Sequence, residues 1–373
     1  MKHKVRVGIV FGGRSGEHEV SLRSARSIFD ALDRERYEPV LLGIDHDGRW
    51  HLQEAARALL DAPGTPLRLE ASAPPVAVAP GSVSDERTLV ATGASAGAVD
   101  VMFPVLHGTY GEDGTIQGLF EMAGVPYVGS GVIGSAAGMD KDFARRLFQA
   151  AGLPMVEGFV VRAGERRPPD DVAREVRARF GYPCFVKPCN MGSSVGVSKA
   201  RDDAQLAAAL ATAFRYDTKV LVERGHDVRE VEVAVLGNDA PEASIAGEIV
   251  PTHDFYSYEA KYLDENGAYL KIPAEITAAQ SDEVRAMALR AFKTLDLQGL
   301  ARVDFFLDKH TGRVYLNEVN TIPGFTRISM YPKLWEATGV SYARLVDRLI
   351  TLALERHATR SALSTRYVPD GAP

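Results

Sequence analysis

Cysteine is scarce: Cys184 and Cys189 are the only two in 373 residues, and they lie close together. That excludes a disulfide framework and leaves two reduced thiols. No histidine is spaced to make a nucleophile of either, so both read as inert packing residues. No run of about 18 apolar residues exists, which excludes a helical membrane span. Basic residues do not predominate: the formal charge is -6. The chain therefore carries no footprint for nucleic acid, although a local cationic pocket for phosphates remains open. The start Met1-Lys2-His3-Lys4 is basic, but Val5 to Val10 alternates like a strand and lacks the apolar core of a secretion signal. The expectation is a cytoplasmic protein. The Gly-x-x-x-x-Gly-Lys-Ser/Thr order is missing, and so is Gly-x-Gly-x-x-Gly around Gly12-Gly13. A Walker loop and a nicotinamide-dinucleotide fold both drop out. Internal repeats are absent.

What is present is an ordinary globular composition, 46% hydrophobic and 25% charged, on a chain long enough for two or three domains. Val5 to Phe11 predicts a strand, about Glu19 to Asp33 a helix, and Pro39 to Ile44 a strand: an open α/β pattern. Between about Gln53 and Ala98 the chain turns to Ala, Pro, Gly and Ser, with strand-like pieces such as Thr88-Leu89-Val90; a variable excursion is expected. The sheet resumes at Val99 to Leu106, a helix starts at Thr115, and Pro126-Tyr127-Val128 adds a short strand. Met139 to Ala151 predicts one amphipathic helix opening a second unit. Strands follow at Gly158 to Val161, Cys184 to Lys187 and Val220 to Glu223. A third unit begins near His226 and closes with a helix from Tyr342 to about His357, after which a flexible tail is expected.

Leu300 to Leu307 and Arg313 to Asn320 flank a turn at Asp308 to Gly312, so an antiparallel hairpin is predicted. Residues two apart share a face. Arg302 and Asp304 then project together, as do Glu318 and Asn320, with Phe305 and Leu307 turned away. Oxygen ligands so placed suit magnesium, which completes its shell with water and phosphate. A developing oxyanion would meet Arg302 there. An ATP-using ligase is the first functional reading; a hairpin of solvated charges is the plain one.

Other segments admit two readings each. Gly192-Ser193-Ser194-Val195-Gly196, after Lys187-Pro188, is a phosphate cradle with Lys187 as point charge, or a plain turn. Glu223 and Glu230 read an adenine amino group and ribose hydroxyls, or are solvated strand-end charges. Phe255 to Tyr269 has the length and composition of a lid, with Lys261 reaching a terminal phosphate and Tyr262 bonding inward, or is a surface loop. In Gly12-Gly13-Arg14-Ser15-Gly16-Glu17-His18-Glu19-Val20-Ser21, Glu17 and Glu19 cap a helix N-terminus, or one of them receives a substrate ammonium.

Together these segments resemble the ATP-grasp superfamily and, within it, the D-alanine:D-alanine ligases. The resemblance rests on Gly12 to Ser21, His107 to Gly118, Met139-Asp140-Lys141, Lys187 to Gly196, Glu259-Ala260-Lys261-Tyr262, Arg302-Val303-Asp304 and Asn317 to Thr326. It implies an α/β ligase of three domains: an N-terminal open parallel sheet (1–138) carrying the first D-alanine site, then two α+β ATP-grasp subdomains. These are a central one (139–225) and a C-terminal one (226–358) with a lid at 251–271, followed by the tail 359–373. It implies ATP held by Lys141, Lys187, Ser193, Ser194, Glu223, Glu230 and Lys261, and two Mg2+ or Mn2+ ions on Asp304, Glu318 and Asn320. The first D-alanine would attack the γ-phosphate, and the amine of the second would displace phosphate from the acyl phosphate. Arg302 and the Gly324 N–H would hold the oxyanion. Glu17 would bind the first ammonium beside His107 and Glu112, and Glu17, Ser193 and Tyr262 would link the domains. Ser329 and Met330 would receive the second carboxylate, helped by Lys261. The aromatic Tyr262 of the lid implies the dipeptide-forming type, with D-serine or D-lactate as the alternative second substrate. A cell-wall precursor as product and a homodimer as the assembly are implied in the same way.

Overall fold

The computed structural model describes residues 4–53, 69, 75–78, 89–91, 94–95, 98–251 and 268–364. Lys261 and Tyr262, most of the expected lid and most of the 53–98 excursion lie outside the described residues.

The N-terminal domain contains β1 (Val5–Gly12), helix α1 (His18–Ala31), β2 (Tyr37–Ile44), β3 (Trp50–Gln53), the small strands β4 (Val76–Val78), β5 (Leu89–Ala91) and β6 (Ala94–Ser95), then β7 (Val101–Pro104), α2 (Thr115–Ala123) and α3 (Val132–Met139). Its main sheet runs β3-β2-β1-β7. The β1 strand is parallel to both β2 and β7, with β3 as an antiparallel edge. The chain leaves β1 to one side for β2 and returns on the other side for β7. In such sheets a crevice opens at the carboxyl ends of the strands where the order reverses. The loops after β1 and β7, carrying Glu17 and His107, meet at that crevice.

The central part contains α4 (Lys141–Ala150), β8 (Gly158–Arg162), α5 (Pro169–Arg179), β9 (Cys184–Pro188), β10 (Ser198–Ala200), α6 (Asp203–Ala213) and β11 (Lys219–Arg224). Its sheet is antiparallel, in the order β10-β9-β11-β8. Alternation sends Cys184, Val186, Val220 and Val222 into a core beneath α5 and α6. It turns Lys187 and Glu223 the other way.

In the C-terminal part, β12 (Val228–Gly237), β13 (Glu242–Pro251), β14 (Ala268–Lys271), α7 (Ala278–Thr294), β15 (Gly299–Asp308) and β16 (Val314–Asn320) are followed by α8 (Met330–Ala337) and α9 (Tyr342–Ser361). The sheet order is β14-β13-β12-β15-β16. One face, with Val231, Val233, Val303 and Phe305, packs against Val284, Ala288 and Phe292 of α7. A Thr277–Gln280 capping box starts that helix. A single core joins Val7, Ile9 and Phe11 of the first sheet to Leu236, Leu300, Phe325, Trp335 and Leu349. The N- and C-terminal parts thus share buried apolar area and behave as one packed unit.

Three expectations are corrected. The helix predicted from Met139 to Ala151 is two helices: Asp140 takes an extended conformation and its carboxylate accepts from the N–H groups of Asp142 and Phe143, capping α4. Pro126 to Val128 makes only an isolated bridge, Met102 to Tyr127. The last helix continues to Ser361, four residues past His357, with Arg360 paired to Glu121 at 2.9 Å. Among the described residues no helix is long and apolar enough to cross a membrane. Cys184 and Cys189 are free and buried, and burial pushes their thiols up to about 11 and about 12. They are the inert packing residues the sequence suggested.

Candidate active site

A cleft of about 1940 Å3 opens between the three parts, lined by Glu17, Lys141, Lys187, Glu230, Arg302 and Glu318 among others. The hairpin face is as expected. Asp304 lies opposite Glu318 and Arg302 opposite Asn320, while Phe305 and Leu307 are buried on the reverse face. Arg302 donates Nε and Nη2 to the two oxygens of Asp304, each at 2.7 Å. Asn320 donates Nδ2 to Asp304 Oδ2 at 2.9 Å, which leaves the lone pairs of its amide oxygen for a cation or a hydrogen-bond donor. Asp304 and Glu232 hold the Arg302 charge well above its ordinary range despite burial. Among the described residues no three His, Cys, Asp or Glu side chains converge as a metal cage. Two carboxylates and an amide on one face form an open half-site instead, of the kind that phosphate oxygens and water complete.

Lys187 and Glu223 form an ion pair, and Arg145 lies 3.4 Å from the other Glu223 oxygen. Glu223 is 3% exposed, so it serves as a buried counter-ion and not as the solvated strand-end charge. Lys141 Nζ donates to the Met191 carbonyl at 2.9 Å and stands 3.4 Å from Glu318. Ser193 and Ser194 both adopt positive φ, 51° and 59°. Non-glycine residues rarely do so, and such strain gathers at ligand loops. Nothing in the sequence reveals it, since serine has no preference for that region.

Ser193 Oγ donates to Glu17, joining the central loop to the N-terminal domain. A Cβ on Gly108, at φ +73°, would stand 2.8 Å from Glu17 Oε2, and one on Gly192 3.2 Å. Gly108 takes a backbone conformation that glycine adopts freely, and a side chain at either position would crowd this carboxylate.

His107 and Glu112 hold the segment after β16. Glu112 accepts from Gly108 N–H with one oxygen and from Ile322 N–H with the other, both at 2.9 Å. His107 Nδ1 lies 2.9 Å from the Ile322 carbonyl, an acceptor only, so Nδ1 carries the proton and Nε2 accepts from Ser24 Oγ at 3.2 Å. Burial lowers the His107 pKa and keeps the ring neutral. Ser24 Oγ in turn accepts from Phe325 N–H at 3.3 Å. The bend containing Gly324 is therefore fixed at both ends. Beyond it, Ser329 precedes α8. Its hydroxyl accepts from Thr326 N–H at 3.1 Å, and the Met330 side chain is buried.

Burial, with Glu17 nearby, pushes the Glu112 carboxyl up to about 7. The two N–H bonds are stronger to the ionised form, so protonation loosens the segment they hold and turnover is expected to fall as pH drops below about 7. For stability the sign is opposite. The native state holds this proton more tightly than the unfolded chain, so the contribution is full below 4.5 and is lost as pH rises to about 7. A pH profile of kcat/KM for Glu112→Gln checks this: the acidic limb near 7 should vanish, and its persistence would assign that limb elsewhere.

Sequence reasoning missed Ser24, Arg145 and Glu232. The last is 3% exposed and lies 2.9 Å from Arg302 Nε. Its only signal was an acid within the otherwise apolar alternation of Val231, Val233 and Val235.

Two family models match the chain: the D-ala D-ala ligase N-terminus over residues 6–130 and the D-ala D-ala ligase C-terminus over residues 147–351. The chain is 51% identical to a D-alanine–D-alanine ligase of Shouchella clausii, over 95% of this chain and 96% of that one. Among solved structures, a D-alanine-D-alanine ligase from Coxiella burnetii superposes with a TM-score of 0.83 at 35% identity, covering 96% of each chain. The VanG D-Ala:D-Ser ligase from Enterococcus faecalis does so with 0.80 at 34%, covering 94% of this chain and 100% of that one. The three-part α/β architecture is that of an ATP-grasp ligase, and the chain belongs to the D-alanine–D-alanine ligase family.

Proposed function

We propose that this chain joins two molecules of D-alanine at the expense of ATP, giving D-alanyl-D-alanine, ADP and phosphate. The observation that carries the reading is that one cleft receives Glu17 from the N-terminal part, Lys187 from the central sheet, and Arg302, Asp304 and Glu318 from the C-terminal sheet. Glu17 binds the ammonium of the first D-alanine, next to the His107 and Glu112 pair. Lys141, Lys187, Ser193, Ser194, Glu223, Glu230 and Lys261 hold the nucleotide, with Glu223 keeping Lys187 in place. The carboxylate of the first D-alanine attacks the terminal phosphorus and ADP leaves. The amine of the second D-alanine then attacks the acyl carbon, and phosphate departs with the electrons of the carbon–oxygen bond. Arg302 and the Gly324 N–H stabilise the oxyanion formed between these events. Ser329 and the Met330 N–H orient the second carboxylate with Lys261, and Tyr262 with Ser193 and Glu17 closes the cleft.

The half-site fits a hard divalent cation. All its donors are oxygens, and the carboxylates of Glu232, Asp304 and Glu318 outnumber Arg302 and Lys141. Asp304, Glu318 and Asn320 would hold two Mg2+ or Mn2+ ions, which supply charge that offsets the phosphates. The D-serine and D-lactate alternatives are not favoured, because a D-alanine–D-alanine ligase is 51% identical over nearly the full length, against 34% for the D-Ala:D-Ser ligase. Phosphate release with D-alanine, with L-alanine and with D-lactate plus D-alanine, products identified by mass, tests the reading. Dipeptide from D-alanine alone supports it; turnover only with another acceptor removes the specificity assigned to Glu17, Tyr262 and Ser329.

The product suits cell-wall precursor synthesis in the cytoplasm. A homodimer is supported by Met122 and Ile133, 73% and 72% exposed on the adjacent helices α2 and α3. Sedimentation should give a dimer that Ile133→Asp converts to monomer; a wild-type monomer would remove the proposal.

A further inference from the structure

Arg302 has two carboxylate partners with unequal demands on them. Asp304 gives both oxygens to the guanidinium, at 2.7 Å each, and also accepts from Asn320 at 2.9 Å. Glu232 is its cross-strand neighbour on β12 and reaches the same Nε at 2.9 Å. On the function proposed above, Asp304 must also serve a divalent cation. An oxygen pair engaged in a bidentate fork cannot turn to a cation without yielding part of that fork. A guanidinium that loses one end of its fork swings unless something else holds it.

We infer that Glu232 is a positioning residue: it is the carboxylate that keeps Arg302 aimed at the reacting carbonyl when Asp304 turns to the cation. Its placement suits that task. Glu232 is 3% exposed, with Val231 and Val233 on either side packed into the core, so its backbone has little freedom. Asp304, whose side chain is the more exposed of the two at 12% against 3%, is the member of the pair that can exchange partners. Without an oxygen at that place the Nε end of Arg302 is left to Asp304 alone, which is then withheld from the cation. Two effects are therefore coupled: a misaimed Arg302 and a weaker cation site.

The inference rests on the roles proposed for Arg302 and Asp304, and the test separates the two. The full-length chain is prepared as Glu232→Ala, Glu232→Gln, Glu232→Asp and Arg302→Ala. Manganese affinity is read by electron paramagnetic resonance with ADP present and no D-alanine, and kcat and the KM for ATP are measured separately. Glu232→Ala is expected to lower kcat about 100-fold and to weaken Mn2+ about 10-fold or more, with the KM for ATP changed less than about threefold. Glu232→Gln keeps an oxygen facing Nε and should lose less than about tenfold in each. Glu232→Asp keeps the charge but falls short of Nε, and should be the more damaging of these two. The Gln and Asp variants decide the matter if the Ala variant does not fold. The inference is overturned by Glu232→Asp outperforming Glu232→Gln, or by unchanged kcat and Mn2+ affinity across the series while Arg302→Ala is impaired. Normal turnover of Arg302→Ala would instead overturn the parent reading.

Discussion

Arg302→Ala is expected to lower kcat by a factor of about 100 to 1000, the loss that follows removal of one preorganised oxyanion donor. The guanidinium is held before any substrate arrives, by Asp304 at 2.7 Å and Glu232 at 2.9 Å. No reorganisation is needed when charge develops on the acyl oxygen, and that is why the effect falls on turnover. The KM for ATP should change little. Arg302→Lys should not restore activity, since an ammonium is a point charge that cannot occupy the fork Asp304 accepts. The substitution to alanine also leaves two largely buried carboxylates without their counter-ion, so the melting temperature should fall as well. Steady-state kinetics at a temperature where the variant is folded separates the two effects. Turnover near the wild-type value would remove Arg302 from the chemistry.

Phe325→Ala is expected to cost about 3 to 5 kcal/mol of stability, as for other buried aromatic deletions. Phe325 is 1% exposed and packs against Phe103 of the N-terminal sheet at 5.9 Å, Tyr331 at 5.8 Å and Tyr342 at 5.5 Å between ring centroids. It therefore sits where the first and last parts of the chain share their core. The residue also adjoins Gly324, and its backbone is tied on both sides: its N–H donates to Ser24 and its carbonyl accepts from the Tyr342 hydroxyl. A cavity there loosens the bend that presents the Gly324 N–H. Urea unfolding should show the lost stability. Kinetics on the folded fraction should show reduced kcat with little change in the KM for ATP. A stable variant with full activity would mean that this core does not position the oxyanion site.

The hairpin was legible because its chemistry obeys a period of two: once the turn at Asp308 to Gly312 is recognised, Arg302, Asp304, Glu318 and Asn320 must share a face. The open α/β pattern of the first domain was legible for the same reason. Glu232 was not, because alternation says that Glu230 and Glu232 share a face but not which face borders the cleft; pairing with β15 decides that. Ser24 reads as an unremarkable small polar residue in a helix, since its partners His107 and Phe325 are remote in sequence. The break at Asp140 was hidden by helical residues on both sides, although an aspartate ahead of Lys141 is a capping signal in its own right. The shared core between the first and last domains arises from segments hundreds of residues apart, beyond the reach of local pattern. Lys261 and Tyr262 remain expectations from resemblance.

The most direct test of the central claim uses D-alanine labelled with heavy oxygen in both carboxylate positions, with ATP and magnesium, and mass analysis of the phosphate and dipeptide formed. If the carboxylate attacks the terminal phosphorus and the amine then displaces phosphate, one labelled oxygen must leave in each inorganic phosphate and the other must remain in the peptide carbonyl. Unlabelled phosphate accompanying dipeptide formation would contradict the acyl-phosphate route, and with it the oxyanion role given to Arg302 and Gly324.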